Sequence, residues 1–181
     1  MNTTYFLIIG AIGVAYLIFM VGLRNVIGKK PQEAISDFSA DEAMKMYLER
    51  MVPEINVNDY RLLWGSTFGN TDINRIFAYN EEKIHVIPAK VLNGELVTPE
   101  GQPFVTIELS TVDHIWFGKK ESLMRMMFVQ LFFDAKNEDD NFEIWREKKD
   151  VCGNDNRPDF VAFIEFMENW AKKQNIPTED L

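Results

Sequence analysis

Residues 5–23 read YFLIIGAIGVAYLIFMVGL, nineteen positions without a charge. At about 1.5 Å rise per residue such a helix is roughly 28 Å long, close to the roughly 30 Å hydrocarbon core of a bilayer. The pattern predicts a retained transmembrane helix. A cleaved signal peptide fits less well. Met1-Asn2-Thr3-Thr4 has no Lys or Arg, and no A-x-A-like site stands before Arg24; a signal needs both features, with a shorter apolar run. A buried core helix would keep a polar face, which this stretch lacks. Arg24, Lys29 and Lys30 follow the stretch and no basic residue precedes it. The positive-inside rule then puts the N-terminus outside and the C-terminal domain in the cytoplasm, at a cell membrane crossed once. Asn2-Thr3-Thr4 is formally a glycosylation sequon, read here as chance at a chain end beside a span.

Beyond the basic flank and linker of 24–38 the pattern changes. Ser39-Ala40-Asp41-Glu42 is a capping box, in which Ser39 and Glu42 satisfy each other's free amides. It predicts an amphipathic helix over 39–52 with Ala43, Met44, Tyr47, Leu48 and Met51 on one face, stopped by Pro53. From Tyr60 the period becomes two. Strands are expected over 60–68, with Leu62 and Trp64 on one face, then over 73–79 and 84–87 around the loop Asn80-Glu81-Glu82-Lys83. Asn93-Gly94 signals a tight turn. Residues 99–103 read as a loop. Further strands are expected over 104–109, 112–117, 123–133 and 142–146. A last helix begins near Pro158. Its Phe160, Phe163, Ile164, Met167, Trp170 and Ala171 form one apolar stripe. Pro177 closes it, and 175–181 read as a tail.

The expected fold class is α+β: an N-terminal transmembrane helix, a short helix, an antiparallel sheet or partly open barrel of about seven strands, and a C-terminal amphipathic helix. Short turns between successive strands favour antiparallel pairing. This element order, with Trp64 in the first strand and Trp170 in the last helix, resembles the pleckstrin-homology-like (PH-like) superfold, including bacterial PH-like and GRAM-like domains. The resemblance covers roughly 58–174 and is one of architecture; a generic α+β domain is the alternative. Phosphoinositide-binding PH domains carry basic residues in and around the first hairpin loop. Here Thr67-Phe68-Gly69-Asn70-Thr71-Asp72 has none, and only Arg75 lies beyond. Headgroup binding is therefore not implied.

Charge narrows the partners. The chain has 19 basic and 28 acidic residues. Without Arg24, Lys29 and Lys30, and with no acid before Glu33, the part after the flank keeps 16 basic against 28 acidic, a net of −12. Such a domain is repelled by nucleic acid and by an anionic leaflet. Single Cys152 excludes an internal disulfide and Cys-rich zinc sites.

Candidate chemistry is sparse. His85 and His114 are the two histidines. Asp113 precedes His114, but neighbours in a strand point to opposite faces, so the acid is badly placed to orient the base. A two-His metal site would need the two strands in a particular register. Cys152 lies in a polar loop with Asp150, Asn154, Asp155, Asn156 and Asp159, without EF-hand spacing; turns and caps account for these residues. Acidic Glu138-Asp139-Asp140 and Glu100-Gly101 suit soluble hairpin tips. Lys119-Lys120 and Arg146, Lys148, Lys149 are the basic clusters. No nucleotide, hydrolase or zincin motif occurs. No catalytic, cofactor-binding or metal residue is assigned, and no cofactor is expected. In the apolar stretch, Ala11 and Ala15, with Gly10 and Gly13 nearby, offer a small-residue homodimer contact.

The expected function is a single-pass membrane-anchored protein whose cytoplasmic PH-like domain is a protein-binding or scaffolding module, not an enzyme. Its partners would be the bilayer, through 5–23, and a protein; nucleic acid is excluded. The alternatives are an extracytoplasmic domain of an envelope assembly and a membrane-tethered hydrolase.

Overall fold

The computed structural model describes residues 34–67, 74–120, 126–134, 137 and 139–181. Its first helix, α1 (Ala40–Met51), starts at the expected capping box. The Glu42 amide donates to Ser39 Oγ at 3.3 Å, and the Ser39 amide to Glu42 Oε2 at 3.1 Å. Nine strands follow in the described residues. They are β1 (Arg61–Thr67), β2 (Asn74–Tyr79), β3 (Lys83–Leu92), β4 (Glu95–Val97), β5 (Val105–Glu108), β6 (His114–Gly118), β7 (Phe128–Phe132), β8 (Asn141–Arg146) and β9 (Thr178–Asp180). The second helix, α2 (Arg157–Gln174), lies between β8 and β9.

The strand order is β4-β3-β2-β1-β8-β7-β6-β9, with β5 on the free side of β3. Each consecutive pair up to β6 is antiparallel, and β9 runs parallel to β6. Strand alternation separates two cores. Leu63, Phe77, Tyr79, Ile84 and Val86 join Ile115, Phe117, Val129, Leu131 and Ile144 in one cluster, and the stripe of α2 fills it. Strands from both halves of the sheet share that cluster, so the sheet curls around α2. Trp64, Ile76, Ala78, Ile87 and Ala89 point the other way and meet Ala43, Met44, Tyr47 and Leu48 of α1. Polar bonds fasten α1 there. Tyr47 Oη donates to the Pro88 carbonyl at 2.9 Å, and Arg50 Nη2 to the Leu96 carbonyl at 2.9 Å. The early helix thus packs on the domain within the compact unit Glu33–Leu181.

Two left-handed turns redirect the chain. Asn93 and Gly94 both have positive φ, 53° and 77°, as a two-residue hairpin turn requires. At the end of α2, Asn175 turns left-handed with φ 58°, and the Ile176 amide donates back to the Ala171 carbonyl at 2.9 Å. This turn sends the chain back along β6.

The fold-class expectation is corrected on three points. The sheet has nine strands in the described residues and is mixed, because β9 pairs parallel to β6. The supposed tail 175–181 therefore contains a strand; it was hidden because Thr178-Glu179-Asp180 has no apolar alternation. The hairpin β3–β4 was likewise visible only as its turn. Third, no transmembrane helix is among the elements described, and no described helix is long and apolar enough to cross a membrane. Residues 5–23, with Ala11 and Ala15, lie outside the described residues. The membrane and single-pass reading is withdrawn. Smaller corrections concern β7, which spans Phe128–Phe132 while residues 123–125 of the expected strand lie outside the described residues, and Met51, which is 44% exposed instead of lying on the buried face of α1.

Candidate functional site

An open cleft of about 560 Å³ lies between the flank of α2, the start of β1 and the β2–β3 turn. Its walls follow from local structure. Asn56 caps a short 3₁₀ turn, Val57–Asp59, which delivers Tyr60 and Arg61 to the start of β1. The antiparallel register sets Arg61 opposite Tyr79. Helical spacing brings Glu165, Phe166, Asn169 and Lys173 to the same flank of α2.

The geometry is aromatic with an exposed cation at its rim. The Tyr79 ring meets Phe166 edge-on at 4.9 Å and Phe163 at 4.8 Å. The Arg61 guanidinium carbon sits 5.5 Å from the centre of the Phe166 ring, within cation–π range. Burial pushes the Tyr79 phenol up to about 12, against the pull of the Arg61 charge. Trp170 Nε1 donates to the Glu81 carbonyl at 3.0 Å, and Lys173 Nζ pairs with Glu81 Oε1 at 2.5 Å. The hydrogen bond from Lys173 holds the Glu81 carboxyl below its usual range. At neutral pH the cleft offers a neutral phenol, a guanidinium on an aromatic ring and exposed acids at Glu165 and Asp59. Such groups can bind and orient a partner group, whereas Tyr79 is held in the protonated, poorly nucleophilic form.

The residues singled out from the sequence fall elsewhere. His85 is buried in β3, with Nδ1 2.9 Å from Thr106 Oγ1 and Nε2 3.1 Å from Tyr60 Oη. Its ring stacks on Phe104 at 5.5 Å. Burial, then the charge of Lys83, lowers its pKa. His114 stacks on Phe132 at 4.1 Å in β6. The two histidines have separate surroundings, and no described trio of His, Cys, Asp or Glu is placed to hold a metal. Cys152 Sγ donates to the Phe38 carbonyl at 3.2 Å, and burial raises its pKa. Asp150 does turn chemistry, accepting from the Cys152 and Asn154 amides at 2.8 and 2.9 Å. Asn156 is buried and donates to the Trp64 carbonyl at 2.6 Å. Asp155 pairs with buried Arg146 at 2.7 Å. Arg146 is therefore a structural cation rather than part of a surface patch with Lys148 and Lys149. Arg75 Nη2 reaches Gln102 Oε1 at 3.4 Å, and burial lowers its pKa.

Sequence reasoning found Tyr60, Tyr79 and Trp170 as core or strand residues but missed the cleft. The Arg61–Tyr79 pairing was in principle readable from the hairpin. The Glu81–Lys173 bond spans 92 positions and carries no local signal.

No family model matches the chain, and no curated protein matches it. Among solved structures it is similar to the hSac2 domain from the human phosphoinositide phosphatase Sac2. The identity is 11%, over 80% of this chain and 90% of that one, with a TM-score of 0.42. That domain comes from an enzyme, but a likeness this distant carries no argument about this chain.

Proposed function

We propose that residues 58–174 form a PH-like protein-binding module, and that the cleft between β1 and α2 is its recognition surface. The observation that carries the reading is the convergence of Arg61, Tyr79 and Phe166, with the Arg61 guanidinium over the Phe166 ring. Tyr, Trp and Arg dominate binding energy at protein interfaces. An aromatic-walled cleft with a few convergent polar groups is also a favoured recognition geometry. The strand series closed by α2, with Trp64 and Trp170 both buried, supports the PH-like part of the reading.

A photoreactive residue introduced at Asn169, in the full chain in cells, tests it. One discrete protein adduct should form. Arg61→Glu should remove it while the melting temperature stays unchanged. Cys152→Ala and His114→Ala should leave it intact. An adduct indifferent to Arg61→Glu refutes the surface. Loss of cellular function in Cys152→Ala or His114→Ala, with unchanged melting, refutes the binding-module reading in favour of an enzyme.

A further inference from the structure

The edge of β6 is already occupied by an extended segment. Thr178, Glu179 and Asp180 of β9 stand opposite Ile115, Trp116 and Phe117. The Ile115 amide donates to the Pro177 carbonyl at 3.0 Å, and the Leu181 amide donates to the Phe117 carbonyl at 2.8 Å. We propose that this edge is a strand-addition site for a partner protein and that residues 177–181 hold it closed. The occupant that fits is an extended segment with an apolar residue in the place of Glu179 and an acid in the place of Asp180. This surface is separate from the β1–α2 cleft, and the inference does not rest on that reading.

The hold of β9 is weak by construction. All three of its side chains are exposed, so it is kept by backbone bonds and charge rather than by burial. Parallel pairing is slightly less stable per residue than antiparallel. Among the described residues its ionic anchor is Asp180 to Lys119 at 2.7 Å, between partly exposed groups. Exposed pairs of this kind contribute little.

The side chains also mismatch at one position. Glu179 lies beside half-buried Trp116 on the same side of the sheet. Glu179 is exposed, so its hydrated carboxylate leaves the indole only half-buried. An apolar side chain there would cover the indole instead. Lys119 is held at the end of the edge by a second ion pair, to Glu168 of α2. It is thus positioned for an acid at the following place. In strand addition the backbone ladder supplies affinity and alternate side chains supply specificity. Here the ladder is native and the specificity is incompletely used.

The test compares the intact chain with a chain shortened after Pro177. The probe is a fluorescent peptide with the sequence of residues 176–181 and Phe in place of Glu179, read by anisotropy. The shortened chain should bind it about tenfold more tightly than the intact chain, as expected when only a minor fraction of the intact chain has the edge open. Lys119→Glu in the shortened chain should abolish most of that gain. The peptide of native sequence should bind more weakly than the Phe peptide. Should shortening unfold the domain, full-length Glu179→Pro serves instead. It keeps the chain length and blocks the amide that the ladder's alternation turns toward β6. Equal affinity for intact and opened chains overturns the proposal, as does no binding to a folded opened chain. Binding indifferent to Lys119→Glu overturns it too; β9 would then only protect a sheet edge.

Discussion

Trp170→Ala should be among the most damaging single changes in this domain. Trp170 is 4% exposed and sits in the core that α2 shares with both halves of the sheet. Its indole also donates to the Glu81 carbonyl at 3.0 Å. Truncating a buried Trp to Ala costs about 3–5 kcal/mol through lost transfer energy and the cavity left behind. A domain's whole stability is about 5–15 kcal/mol, so the loss is a large share of it. For a unit of this size it corresponds to a drop in Tm of roughly 6–20 °C. Trp170→Phe separates the two contributions. It keeps most of the apolar filling and loses the bond, worth about 0.5–1.5 kcal/mol net. Urea titration followed by far-ultraviolet circular dichroism gives both values without relying on indole fluorescence. A loss below about 1 kcal/mol for Trp170→Ala would refute the reasoning, since deletions at a filled core position exceed that. It would mean that α2 is peripheral to the sheet.

Two further outcomes follow from the fold. Gly65→Ala should destabilise by about 1–3 kcal/mol, because the new Cβ would lie 2.7 Å from the Trp145 backbone carbonyl, which belongs to the neighbouring strand; an unchanged urea midpoint contradicts the β1–β8 pairing. His85 has a lowered pKa in the folded state, from burial and then Lys83, with Glu108 opposing. The unfolded chain therefore binds the proton first, so this contribution is intact above the unfolded value of about 6.5 and is lost as pH falls through it. His85→Gln should flatten that part of the curve between pH 7.5 and 5.5 relative to the parent chain, and parallel curves would refute it.

The helices were legible because their signals are local. A capping box marks the start of α1, and six apolar residues at helical spacing mark the buried face of α2. The central strands were legible for the same reason, since alternation survives wherever one side of a strand faces a core. Where burial is absent, so is the pattern. β9 has three exposed residues and is held by backbone bonds to β6, which no composition reveals. Arg146 looked like part of a basic surface patch, yet it is 5% exposed and paired with Asp155. Its partner is nine positions away in an irregular loop, beyond the reach of helical or strand periodicity. The cleft was hidden for a related reason. It assembles residues from a 3₁₀ turn, a hairpin end and a helix flank, and each fragment alone reads as ordinary core or solvated surface.

Both proposed surfaces depend on α2 through different sides of the same helix. Its buried stripe, Phe160 through Ala171, fixes its rotation on the sheet. One flank then presents Phe166 and Lys173 to the cleft. Glu168 instead reaches Lys119 at the end of β6. The turn after the helix sends Ile176 into the core's margin and starts the segment that becomes β9. A helix that rotated or loosened would misplace the Arg61–Phe166 contact and the Lys119 anchor together. A change confined to Arg61 should affect the cleft alone, and one confined to Asp180 the β6 edge alone. Coupling between the two surfaces, if measured, therefore has one physical carrier, the seating of α2. Trp170→Phe loosens that seating without emptying it, so it should weaken binding at the cleft and raise peptide binding at the edge in the same molecule.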